Sequence, residues 1–243
     1  MRFGWLAKGC VASLTAFVCS AHAQACQAES GPQVPVVVEL YTSEGCSSCP
    51  PADRWLSTLK DRPGVLAAAF HVDYWDRLGW KDRFASPRYT ARQAQLQAAA
   101  GARYSYTPQV RVNGADWRRW PELPPAPPVA KARLALQRDG DQVELSVRAL
   151  PAAAADAQWA LWWVGVEDGH ASDVKAGENS GARLHHDHVV RHYGSVAAWS
   201  GPLTRRVEVP ARGEGGRPLR VIAVVTDAAS GALVQAVQLR CPT

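Results

Sequence analysis

Methionine is almost missing from this chain: the initiator Met1 is its single example in 243 residues. No phosphate-binding glycine loop and no dinucleotide fingerprint occurs, so nothing points to nucleotide-dependent chemistry or to any cofactor. Beyond the first two dozen residues no apolar run is long enough to cross a bilayer as a helix. The charge excess is small, 27 Lys and Arg against 22 Asp and Glu. It is scattered too, without the basic block that would argue for nucleic acid. Scattered serines, histidines and acids define no hydrolytic triad.

What the chain does have begins at its N-terminus. Arg2 and Lys8, an apolar run from Gly9 to Ser20, and Ala21-His22-Ala23 read as a secretory signal peptide, 1–23, with Ala23-Gln24-Ala25 as a second cleavage site. The mature protein is expected to be periplasmic or secreted, with no membrane span. Cleavage removes Cys10 and Cys19 and leaves Cys26, Cys46, Cys49 and Cys241. Four cysteines allow three pairings. The natural one joins Cys46 to Cys49 and Cys26 to Cys241; the alternative for the outer two is a pair of unrelated thiols near frayed ends. By loop-closure entropy, a link between the chain ends stabilises by roughly 5 kcal/mol and a four-residue loop by only about 2. The outer pair is therefore the structural staple and the inner pair the candidate for chemistry.

The inner pair sits in Val36-Val37-Val38-Glu39-Leu40-Tyr41-Thr42-Ser43-Glu44-Gly45-Cys46-Ser47-Ser48-Cys49. A β-branched run reads as a buried strand that leads into a helix from Ala52 to Leu59. A thiol at a helix start lies in a positive backbone field that favours the thiolate. With Cys46 as N-cap, Pro50 falls harmlessly in the first turn and Pro51 at its edge, where it is expected to kink the helix. A second strand follows from Val65 to Val72. A second helix is capped by Ser86, starts at Pro87 and closes at Gly101. Thr107-Pro108, a strand from Gln109 to Val112, the Asn113-Gly114 turn and a return strand from Asp116 to Trp120 complete the first half.

Residues 121–128 form a Pro-rich linker. Beyond it the period turns to two, with strands expected at 129–137, 142–150, 159–166, 184–193, 203–209, 219–226 and 233–239. The expected architecture is a mixed α/β domain (33–120), followed by an all-β sandwich-like domain (129–243) packed on its uncovered face. The strand–Cys-x-x-Cys–helix unit and Tyr106-Thr107-Pro108-Gln109 before a strand and an Asn-Gly hairpin resemble the thioredoxin fold, so the first domain is expected to be α/β thioredoxin-like.

The segments Glu39 to Asp53, His71 to Pro87 and Tyr106 to Gly114 resemble a family of secreted bacterial thioredoxin-like proteins catalogued as domain of unknown function 1223. The loop Gly177 to Gly181 is also typical of that family. The resemblance implies a redox fold and no particular substrate. It implies that Cys46 attacks and Cys49 resolves, that Pro108 is cis and with Thr107 pairs an extended substrate, and that the buried acid Glu39 exchanges a proton with Cys49. Asp73, Trp75 and Trp80 follow the second strand at the rim where ligands of parallel sheets bind. They are expected to line the substrate side.

The expected function is thus an exported thiol–disulfide oxidoreductase whose partner is a thiol- or disulfide-containing protein or a small thiol. The competing constellation is His185-His186-Asp187-His188, with His170 and His192. On one strand His186 and His188 share a face and could bind copper or zinc, making the protein a metal chaperone that uses Cys46 and Cys49 with histidines. A third possibility is a non-catalytic module.

Overall fold

The computed structural model describes Met1 and residues 26–125 and 129–242. The expected signal peptide lies outside the described residues apart from Met1, as do residues 126–128 of the expected linker. In chain order the strands are β1 (Cys26–Glu29), β2 (Val36–Thr42), β3 (Val65–His71), β4 (Gln109–Val112), β5 (Ala115–Asp116), β6 (Ala132–Asp139), β7 (Gln142–Ala149), β8 (Trp159–Glu167), β9 (His170–Asp173), β10 (Arg183–His186), β11 (Val189–Trp199), β12 (Leu203–Glu208), β13 (Arg220–Asp227) and β14 (Leu233–Leu239). The two α-helices are α1 (Pro50–Ser57), after β2, and α2 (Pro87–Ala99), after β3. No helix among the described residues is long and apolar enough to cross a membrane.

This overturns the expected fold class. An α/β thioredoxin-like domain followed by a separate sandwich-like domain is not what forms: the protein is mostly β, and one sheet runs through both halves of the chain. Eight strands take the order β14-β13-β8-β11-β3-β2-β4-β5. The join is a short parallel contact, Val189 opposite Ala69, with the Ala69 amide bonded to the His188 carbonyl at 2.8 Å. The later strands extend the sheet at its β3 edge instead of packing across its face. Period-two patterning says which residues share a face, but not which sheet edge a strand will take.

Three cores follow from that sheet. On one face, α1 sets Ala52, Trp55, Leu56 and Leu59 against Val36, Val38 and Leu40 of β2 and Ala67 and Ala69 of β3. On the same face, further along, a second sheet in the order β1-β6-β7-β12 packs Leu134, Leu136, Leu145 and Val147 against Trp159, Leu161, Val221 and Ala223. On the opposite face lies an aromatic core. Phe70 stacks on Tyr41 at 5.3 Å and meets Tyr89 of α2 edge-on at 5.5 Å. Contacts of this kind add about 0.5–1.5 kcal/mol beyond burial.

Several local expectations need revision. The return strand shrinks to Ala115–Asp116. The strand expected over 184–193 breaks into β10 and β11 at His188, whose φ is +58°. β1 and β9 were not expected. Cys26 and Cys241 do form a disulfide across a separation of 215 residues, and it lies against the core between the two sheets.

Candidate functional site

Cys46 and Cys49 are joined as a disulfide at the α1 end of the sheet. Cys49, not Cys46, is the N-cap, so both Pro50 and Pro51 occupy the first helical turn. The missing amides there have no helical carbonyl to meet in any case, and the expected kink does not arise. Cys46 belongs to the turn before the helix. Its amide bonds the Ser43 carbonyl and its carbonyl accepts the Cys49 amide, each at 3.1 Å. The Ser48 hydroxyl stands 3.5 Å from Cys46 Sγ. Ser47 and Ser48 are exposed, while both cysteines are fully buried.

The cover over the pair comes from far away in sequence. Asn179 donates from Nδ2 to the carbonyls of both Glu44 and Cys46, each at 2.9 Å, and the Ser47 amide donates to Glu178 at 3.0 Å. Gly177 and Gly181, at φ of +73° and +86°, bound this strap. The Gly177 to Gly181 loop thus holds the backbone on both sides of Cys46.

The Thr107–Pro108 bond is cis. β4 runs antiparallel to β2 with Gln109 opposite Tyr41, which puts Thr107 and Pro108 at the rim where β2 delivers the cysteines. Trp75 bridges the two: its indole N–H donates to the Thr107 hydroxyl at 2.8 Å, and its Cβ backs onto Gly45, where an added Cβ would approach to 3.0 Å. Trp80 donates to Glu44 at 2.8 Å and lies against Gly177. Asp73 turns instead to α2, accepting from the Thr90 hydroxyl. Its backbone amide also donates to that hydroxyl, at 3.2 Å, so Asp73 ties the end of β3 to α2.

Glu39 requires a plain correction. Val38 and Leu40 face α1, so strand alternation points Glu39 to the other side of the sheet, where it pairs with the buried guanidinium of Arg92 on α2. Arg92 also donates to the Tyr41 hydroxyl and sits 4.7 and 4.8 Å from the ring centres of Phe70 and Trp162. Glu39 does not face Cys49 and cannot serve as its proton partner from there.

The acids beside the cysteines are others. Glu44, Asp53 and Asp82 are all buried, and they surround His71, the last residue of β3, and His186, the last residue of β10. His71 Nδ1 bonds Asp82 at 2.7 Å. Asp53 accepts from the Thr42 hydroxyl at 2.9 Å. The His186 ring lies between two carboxylates, its Nε2 3.4 Å from Glu44 and its Nδ1 3.8 Å from Asp53. Burial alone would lower the His186 pKa, but the Asp53 and Glu44 carboxylates outweigh it and raise it to about 9. Burial would raise the Asp82 pKa; the His71 ring beside it brings it below the usual value instead.

His186 and His188 do not act together as a strand pair. The left-handed backbone at His188 carries that ring to Arg220 while its amide donates to Asp168, and burial first and the Arg220 charge second lower the ring's pKa to about 4. His170 bonds Glu167 at 2.7 Å. Asp53, His71 and His186 were missed as a group because they come from a helix, a central strand and a distant ribbon. No spacing in the sequence marks them.

A buried disulfide at a helix start, held under a glycine-bounded strap at the rim of a mostly β protein and set over a buried carboxylate–imidazole cluster, defines an oxidised, cysteine-centred site. The chain carrying it belongs to the family described as Protein of unknown function (DUF1223), whose model matches residues 37–226. Among solved structures it is similar to protein AGR_C_4864 from Agrobacterium tumefaciens, at 28% identity and a TM-score of 0.63 over 87% of this chain and 96% of that one. It is also similar in fold to HBP35 of Porphyromonas gingivalis, at 16% identity and a TM-score of 0.60 over 87% of this chain and 76% of that one. Among curated proteins none matches significantly.

Proposed function

We propose that this protein exchanges disulfides through Cys46 and Cys49 outside the cytoplasm. The observation that carries the reading is the placement of the pair. Cys49 caps α1, the Ser48 hydroxyl stands 3.5 Å from Cys46 Sγ, and Thr107 and Pro108 share the rim. A helix N-terminus and a hydroxyl donor both favour thiolate. A substrate thiolate attacks Cys46 Sγ, the Cys46–Cys49 bond breaks, and the electron pair leaves on Cys49 sulfur. A second substrate thiolate then attacks the substrate sulfur of the mixed disulfide and releases Cys46 as thiolate. The substrate dithiol loses two electrons and the cysteine pair gains them; run backwards, the same steps reduce a substrate disulfide. Trp75 and Thr107 offer the wall and the backbone edge against which an extended thiol-bearing partner lies. The second disulfide, which ties the two ends of the described chain, is of the kind that persists in oxidising compartments and supports export.

Full burial of both sulfurs favours a second reading, in which the pair is a structural staple. The two readings part on exchange. Catalysed reduction or oxidation of a dithiol peptide is expected for the wild type and not for Cys46→Ser. It should accelerate in Asn179→Ala, which frees the strap. Wild-type turnover no greater than that of Cys46→Ser leaves the staple.

A further inference from the structure

Three carboxylates, from Glu44, Asp53 and Asp82, are buried around two imidazoles. No Lys or Arg makes an ion pair with any of the three among the described residues. Even with both rings fully protonated the cluster keeps a negative charge, and buried charge without compensation is costly. Within it, polar atoms are left without a hydrogen-bond partner: Glu44 Oε1, His71 Nε2 and both ring nitrogens of His186. Orphan atoms are rare in buried sites, and one nitrogen of each ring lying close to an Asp53 oxygen calls for a group that accepts their lone pairs.

We propose that Asp53, His71 and His186 bind a divalent first-row transition ion, zinc foremost. One nitrogen of each ring and one Asp53 oxygen lie within 4.8 Å of one another. His71 Nδ1 is already committed to Asp82 at 2.7 Å, so Nε2 is its free donor. His186 presents Nδ1 to Asp53 at 3.8 Å while its Nε2 faces Glu44 at 3.4 Å. Tetrahedral zinc with bonds of about 2.1 Å needs ligand atoms roughly 3.4 Å apart, so small side-chain rotations bring the three donors into range. Two imidazoles and a carboxylate form an N/O set suited to zinc.

The surroundings repeat the pattern of built metal sites. His71 holds its other ring nitrogen against the Asp82 carboxylate, Glu44 stands 3.4 Å from the second ring nitrogen of His186, and the second oxygen of Asp53 is held by Thr42. Such partners fix the tautomer and the ring orientation. Three protein ligands leave the fourth position to water. The site contains no sulfur, so it is independent of the redox state of Cys46 and Cys49, although Asp53 lies one helical turn from Cys49 and its amide bonds the Cys49 carbonyl at 3.1 Å.

The test uses the full mature chain with both disulfides intact, stripped with chelator and titrated with Zn²⁺ alone and with Co²⁺ alone. One equivalent of zinc is expected by calorimetry. Cobalt is expected to give the intense visible bands of a tetrahedral site with no thiolate charge-transfer band. Asp53→Asn and His186→Gln should lose binding at least 100-fold, and Asp82→Asn and Glu44→Gln about 10- to 100-fold, while Glu178→Ala should bind as the wild type does. Circular dichroism of each variant separates lost binding from lost folding, and the cobalt spectrum of Asp82→Asn reads the site without removing a ligand. Absence of stoichiometric zinc and cobalt uptake by the folded wild type overturns the assignment, as does a cobalt spectrum that the Asp53 and His186 substitutions leave unchanged. Disulfide exchange without metal uptake would sink the metal site and leave the redox reading standing; uptake without exchange would do the reverse.

Discussion

Replacing Arg92 by methionine tests the arrangement around Glu39. The guanidinium is buried between the Glu39 carboxylate, the Tyr41 hydroxyl and the rings of Phe70, Trp162 and Tyr193. Burial alone would lower its pKa, but the Glu39 carboxylate, with Tyr41 and Tyr193, outweighs that and raises it, so the guanidinium stays charged. Methionine fills much of the same volume but leaves Glu39 as an unpaired charge within a central strand. Breaking a buried pair from one side costs about 3–5 kcal/mol. For a chain of this size each kcal/mol moves the Tm by roughly 2–4 °C, so a fall of about 6–20 °C is expected. Removing both charges in Glu39→Leu/Arg92→Met should restore all but about 1–2 kcal/mol, because the aromatic core then receives two apolar side chains of similar size. Urea denaturation of the disulfide-intact protein, followed by tryptophan fluorescence and closed as a double-mutant cycle, gives the coupling. A loss below about 1 kcal/mol for the single variant, or a double variant no more stable than the single, refutes the buried-pair account. Because Glu39 faces away from Cys49, Glu39→Gln should also leave the pH profile of any exchange reaction unchanged.

Two further perturbations follow from the fold. Cys241→Ser opens the link between Cys26 and Cys241, whose separation is 215 residues; chain entropy sets the loss at about 5 kcal/mol, measurable by the same denaturation, and a loss below about 1 kcal/mol would show that the staple does not constrain the unfolded chain. Gly114→Ala places a methyl group at φ of +88° and 2.3 Å from the Gly231 carbonyl oxygen. It should cost roughly 1–3 kcal/mol, and an unchanged Tm would mean that the Asn113–Gly114 turn is not held against the 231 loop.

Much of the site's first layer was legible. Strand, cysteine pair, helix and the Thr107–Pro108 element declare themselves because each is a local pattern of β-branched run, helix start and turn chemistry. Of the three pairings open to four cysteines, the natural one is the one that forms. β6 and β7 were also legible from period two, since their inward residues alternate along the strands. Glu39 shows the limit. An acid in an apolar strand announces that it needs a partner, but whether that partner is a thiol or a guanidinium depends on which helix covers its face.

The sequence by itself determined where the cysteine pair sits and that a strand and a helix start flank it. Local backbone preference and hydrophobic period act over a few residues, and those residues are adjacent in the chain. Only the tertiary structure decided what surrounds the pair. It joined β11 to β3 and so made one sheet of two expected domains. It brought Asn179 across 133 residues to the Cys46 carbonyl, and it gathered Asp53, His71 and His186 around one point. Each of these depends on where a distant segment docks. That choice is made by the sum of long-range burial and hydrogen bonding, and no window of sequence contains it.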